Sequence, residues 1–179
     1  VLSIPTESVL TASTGVIGYQ LPLDVIKEGA KKLAPALADT EEAATMTAEA
    51  IMTTDTYSKQ WAVETTIGGK RVAIGGMCKG SGMIHPNMAT MLSVITTDCN
   101  ISKELLREAV KADVKDSFNM ISVDRDTSTN DTFVVLANGL AGNEEITEKN
   151  EEYEVFCKAL ATVTKNLAKI MAQDGEGAT

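Results

Sequence analysis

The chain lacks any apolar run near the roughly 18 residues that a bilayer-spanning helix needs. Its opening, Val1-Leu2-Ser3-Ile4-Pro5-Thr6-Glu7, also lacks the basic stretch of a signal peptide. Both absences predict a cytoplasmic protein with no membrane partner. There is no clustered positive patch: 16 Lys and Arg are scattered among 25 Asp and Glu, for a net charge of -9. Nucleic acid is excluded as a partner on that ground, and small polar substrates fit better. Cysteine is scarce, and Cys78, Cys99 and Cys157 are odd in number without metal-like spacing, so neither a disulfide framework nor a zinc site is expected. Histidine occurs once. With no repeat, low-complexity segment or Pro/Ser-rich linker, residues 1–179 read as one domain, and 44% apolar content is enough for a real core.

Helical spacing of Leu23, Ile26, Ala30, Leu33 and Leu37 follows Pro22, and Asp39 with Glu42 reads as a capping box for a second helix to about Ile51. Trp61, Val63, Thr65 and Ile67 alternate toward Gly68-Gly69, and Val72 and Ile74 alternate away, which predicts a hairpin whose second strand ends at Gly75-Gly76. A strand is expected over 90–97, a helix capped by Ser102 and carrying Leu106, Ala109, Val110, Val114 and Phe118, and a buried strand over 132–137. A long helix with Tyr153, Phe156, Leu160, Val163, Leu167 and Ile170 on one stripe completes an α/β chain with mixed strand pairing.

The chemistry concentrates in Lys79-Gly80-Ser81-Gly82-Met83-Ile84-His85-Pro86-Asn87-Met88-Ala89-Thr90-Met91-Leu92, a Gly-rich turn that passes through a Pro to a Thr at the head of a predicted strand. A threonine becomes a capable nucleophile once it is a chain terminus, because its own amine can take the hydroxyl proton. With a pKa of about 7.7 to 8.0, that amine is roughly a tenth to a fifth neutral at pH 7. Other motifs fail on spacing. In Gly75-Gly76-Met77-Cys78-Lys79-Gly80-Ser81 the Lys precedes its Gly, unlike a phosphate loop, and Gly80-Ser81-Gly82 is not a nucleophile elbow. Asp124, Asp126 and Asn130 lack the Gly and terminal Glu of a calcium loop, so no metal site is expected and the loop reads as structural or pocket-lining. A thiol hydrolase using Cys78 and His85 is the enzymatic alternative.

The Lys79 to Leu92 block, with Thr11-Ala12-Ser13-Thr14-Gly15-Val16-Ile17-Gly18, Ala50-Ile51-Met52-Thr53-Thr54-Asp55-Thr56, Thr96-Thr97-Asp98, residues 122–132 and Asp174-Gly175-Glu176-Gly177-Ala178-Thr179, resembles the ornithine acetyltransferases of arginine biosynthesis. The resemblance implies an N-terminal-nucleophile-like layered fold with helices outside stacked mixed sheets. It implies self-cleavage between Ala89 and Thr90 into parts 1–89 and 90–179, with Thr90 as nucleophile and Thr14 and Gly15 as the oxyanion hole. Acetyl then moves from N-acetylornithine to glutamate on Thr90, with Thr53, Lys79, Thr90 and Glu176 touching substrate. Thr53 is taken in preference to Thr54. No cofactor is implied, since the acetyl group rides on Thr90 and acetyl-CoA would be a further substrate. The cleaved chains would pair as a heterotetramer. Arg125 stands where the family pattern has Gly, and Cys78 where a small residue is common. The family proteins extend beyond both ends, so the chain reads as a central fragment, whose alternative role is a catalytically inert core.

Overall fold

Two adjacent glycines, Gly68 and Gly69, both take positive φ (56° and 71°) and turn strand β1 (Lys59–Ile67) back on β2 (Lys70–Lys79), the geometry that matches the right-handed twist of a hairpin. The computed structural model describes residues 1–16, 18–82, 91–123, 128, 130–175 and 177. The second strand does not end at Gly75-Gly76, as the sequence predicts, but runs on to Lys79. A side chain at Gly76 would place its Cβ 2.2 Å from Ile95 Cδ1, so this glycine admits the neighbouring strand rather than terminating its own. That neighbour, β3 (Leu92–Thr97), pairs antiparallel with β2 from Ile74↔Thr97 to Lys79↔Leu92.

Helix α1 (Leu23–Leu33) and helix α2 (Glu41–Ala50) precede the sheet. The first stops before Leu37, because Pro35 in the 3-10 turn Ala34–Ala36 has no N–H to extend it. Although its apolar stripe is as predicted, none of its residues is buried. The second is capped by Thr40, not Asp39: the Thr40 hydroxyl accepts from the Ala43 N–H at 3.2 Å, which leaves Glu42 one position short of a capping box.

From β3 the chain crosses through α3 (Lys103–Asp113), capped by Ser102 as expected, to β4 (Thr132–Ala137), which pairs parallel with β3. Val114 and Phe118 fall in 3-10 turns after α3, yet Phe118 is buried edge-on against Phe133 with ring centroids 5.3 Å apart. The strand β4 is half-buried rather than buried, because it forms the edge of the order β1-β2-β3-β4. Helix α4 (Glu151–Gln173), capped by Asn150, presses Phe156, Leu160, Val163, Leu167 and Met171 into one core with Ile67, Val72, Ile74 and Ile95. Ile170 lies half-buried at the margin of that stripe. On the opposite face, Ala62, Gly75, Met77 and Val94 help to line a hollow of about 580 Å³ beneath α2. The class is therefore α/β with mixed pairing, as expected, and the described residues form one sheet. Among these residues no helix is long and apolar enough to cross a membrane.

Candidate active site

Strand β2 delivers Lys79 at its last position, directly across the ladder from Leu92. The side chain is buried, 3% exposed, and its ammonium donates to Thr53 Oγ1 at 3.1 Å. Burial pulls the Lys79 pKa below the ordinary lysine value, and Lys59 adds to that. Asp55 and Asp131 oppose it without reversing it. Of the two adjacent threonines, Thr53 is the one that meets Lys79, while Thr54 Oγ1 lies 2.7 Å from the hydroxyl of buried Ser81.

The loop that presents Thr53 is held from below by three ionised groups that sequence reasoning left without a role. Lys59 Nζ sits 2.6 Å from Asp55 Oδ1 and 2.5 Å from Asp174 Oδ2, with the side chains of Lys59 and Asp55 fully out of solvent. Asp55 also accepts from the Gly80 N–H at 2.7 Å and the Thr53 N–H at 3.1 Å. Asp174, just past the end of α4, accepts from the Thr56 N–H and from its hydroxyl. Burial alone would raise both carboxylates, but Lys59 and these donors outweigh it and hold them below the usual carboxylate value. Burial would likewise lower Lys59, yet Asp174 and Asp55 keep it above the usual lysine value. A signal was available: Lys59 occupies the same alternating face of β1 as Val63 and Ile67, where a charge has to be paired.

Across β3, Asp131 Oδ1 accepts from the Met91 N–H at 2.9 Å, and the Thr132 N–H donates to the Met91 carbonyl at 2.9 Å. Burial raises the Asp131 pKa, with the Met91 N–H and Lys79 pulling it partly back. The preceding Asn130 donates its side-chain N–H to the Ser13 carbonyl, which fastens the Thr14-Gly15 segment to this end of the sheet. Thr14 is half-buried and Gly15 exposed, and both border a hollow of about 320 Å³ shared with Asn130 and Tyr19. Sequence reasoning gave Asp131 no individual role beyond its place in the 122–132 block.

The structure thus brings Thr53 to Lys79, and Ser13 next to Thr14 to Asn130. Ala89, Thr90, His85, Asp124, Arg125, Asp126 and Glu176 lie outside the described residues. The Cys78 and His85 alternative is overturned at the thiol: Cys78 is 1% exposed and burial pushes its pKa up to about 12, which leaves almost no thiolate at neutral pH. Among the described residues no group of three or more His, Cys, Asp or Glu could hold a metal ion.

The ArgJ family model matches residues 1–179. The arginine biosynthesis bifunctional protein ArgJ 1 of Clostridium acetobutylicum is 55% identical over 178 residues, which are 99% of this chain and 43% of that protein. Its counterpart in Symbiobacterium thermophilum is 54% identical over 99% of this chain and 44% of its own length. The crystal structure of the arginine biosynthesis bifunctional protein argJ from Bacillus halodurans shares 49% identity, with a TM-score of 0.45 over 47% of this chain and 39% of that one. The chain spans less than half the length of the curated relatives it matches. With the family match running through all 179 residues, the chain belongs to the ArgJ family.

Proposed function

We propose that this chain is the nucleophile-bearing part of an acyltransferase that cuts itself between Ala89 and Thr90 and then moves acetyl from N-acetylornithine to glutamate. The Thr90 hydroxyl attacks the Ala89 carbonyl, the C–N bond breaks to free the Thr90 amine as an ester forms, and water hydrolyses that ester to leave a carboxylate on Ala89 and the hydroxyl restored on Thr90. That amine takes the hydroxyl proton when Thr90 attacks the acetyl carbonyl of N-acetylornithine, and returns it to the departing ornithine nitrogen. Glutamate then accepts the acetyl group from the ester. Thr14, through its hydroxyl, and Gly15, through its N–H, hold the oxyanion in both half-reactions. Acetyl-CoA serves as an alternative donor without being a resident cofactor, the cut halves assemble as a pair of heterodimers, and the reaction is cytoplasmic.

One observation supports the substrate side above the others. Lys79 is a buried cation whose hydrogen bond goes to a hydroxyl, and among the described residues no carboxylate pairs with it. A buried ammonium left this way favours an incoming anion, and the α-carboxylate common to ornithine and glutamate is one. Glu176 then takes the α-amino group and Thr53 the remaining polar contact.

Intact-mass spectrometry under denaturing conditions tests the proposal, applied to wild type and to Thr90→Ala. Two masses that break between residues 89 and 90, reduced to one in Thr90→Ala together with loss of transfer, are the expected result. Normal turnover by Thr90→Ala sinks it. Because the chain spans under half of its relatives, a single wild-type mass with no transfer assigns it instead to an inert core of the same enzyme.

A further inference from the structure

Three segments that carry candidate substrate contacts converge on one ammonium. Thr53 belongs to the loop whose Asp55 binds Lys59. The Gly80 N–H, adjoining Lys79, donates to that same Asp55 oxygen, and Asp174 leads into Glu176 two residues on. Lys59 pairs with Cys78, beside Lys79, on the β1–β2 ladder, whereas Asp174 is 115 residues distant from Lys59 and follows a helix that belongs to no strand ladder.

Resting on the acyl-transfer reading above, we infer that Lys59, clamped between Asp55 and Asp174, is a positioning residue that sets the distance between the Thr53 loop, the Lys79 end of β2 and the Asp174 end of α4. Directed hydrogen bonds make this geometry specific. Asp55 spends one oxygen on Lys59 and Gly80 and the other on the Thr53 N–H. Asp174 divides its oxygens between Lys59 and both polar groups of Thr56. A hydrophobic plug of equal volume would fill the space without fixing any of these angles. The two carboxylates and one ammonium of the clamp carry a net charge of -1, and Asp55 opposes, without reversing, the lowering that burial imposes on the Lys79 ammonium.

Asp174→Asn in the full-length protein is the test, because it severs the link from β1 to α4 while leaving the Lys59–Asp55 pair intact and taking the clamp's own net charge from -1 to zero. Two readouts are taken: the KM and kcat of transfer per cleaved molecule, and amide hydrogen exchange. Positioning predicts a KM for both amino-acid substrates raised about tenfold or more. It also predicts exchange at least about tenfold faster at Thr53, Thr56 and Gly80, with the amides of the β1–β2 turn unchanged. Lys59→Arg, which keeps a buried cation between both carboxylates, should raise the KM less than Asp174→Asn does. An unchanged KM with unchanged exchange overturns the inference. So does loss of folded protein in Asp174→Asn, which would make the group a stabilising element only. If wild type shows no acetyl transfer, the functional reading fails by itself, and the exchange pattern still judges the positioning.

Discussion

Replacing Lys59 by methionine keeps most of the side-chain volume and strips the cation from between two carboxylates that bind it at 2.6 and 2.5 Å. Deleting one member of a buried pair costs about 3–5 kcal/mol, because the charge left behind stays buried. With two carboxylates orphaned, the upper half of that range is expected, about 4–5 kcal/mol. The pH dependence changes sign as well. In wild type, Asp55 and Asp174 titrate below their ordinary value of 3.8 and Lys59 above its ordinary 10.5. Their contribution is therefore complete between those two values. It is lost as pH falls through the lowered carboxylate pKa values or rises through the raised lysine one. Without Lys59, burial dominates and lifts the carboxylates above 3.8, so the folded state binds a proton more readily than the unfolded one. The penalty is then complete above the raised pKa and relieved as pH falls toward 3.8. Urea unfolding at pH 7.5 and pH 5 reads both effects. At a slope of about 2 kcal/mol per molar, the midpoint at pH 7.5 drops by about 2 M. On acidification to pH 5 the variant recovers up to about 1.4 kcal/mol for each pH unit over which one group titrates. A midpoint within about 0.5 M of wild type, or no gain on acidification relative to wild type, refutes the reasoning.

The remaining predictions concern packing, reactivity and rate. Gly76→Ala forces a Cβ to 2.2 Å from Ile95 Cδ1 and 3.0 Å from the Val94 carbonyl, and should lower stability by about 1–3 kcal/mol in a denaturant melt. A midpoint equal to wild type contradicts the close approach. Iodoacetamide at pH 8 should modify the half-exposed Cys157 before Cys78, whose pKa near about 12 leaves roughly one thiolate in ten thousand, as peptide mapping would show. Thr14→Ala should slow acetyl transfer by about two orders of magnitude or more, equivalent to about 3–4 kcal/mol in the transition state. A rate within twofold of wild type removes Thr14 from the oxyanion hole.

Local chemistry made most of the elements legible before the structure. The Gly68-Gly69 turn, the Ser102 cap and the stripe on α4 each rest on neighbours within a few residues, and each stands where it was expected. The misses have a common cause in distant partners. Gly76 looks like a strand terminator until β3 arrives beside it, and β4 looks buried until it is seen, among the described residues, at the edge of the sheet. The cap at Thr40 was a choice between adjacent polar residues that only backbone geometry decides. The candidate site divides similarly. Lys79 taken alone resembles a surface lysine, and its burial depends on the sheet and on the loop at 53–56. Alternation along β1 could have exposed Lys59, but its partner Asp174 lies beyond the reach of any local pattern. Asp131 was hidden for the same reason, since its contact with Met91 crosses 40 residues.

The sheet is built half from residues before position 89 and half from residues after it. β1 and β2 lie on one side of that point in the chain, β3 and β4 on the other, and six paired positions from Ile74↔Thr97 to Lys79↔Leu92 join them. Helix α4, from the second half, closes the core against β1 and β2 of the first. A backbone break between residues 89 and 90 would therefore release nothing: the nicked protein stays one particle on a sizing column. What changes is the molecularity of refolding. An intact chain regains the sheet at a rate independent of dilution, whereas separated halves must first meet, so their recovery becomes second order and slows in proportion as the protein is diluted.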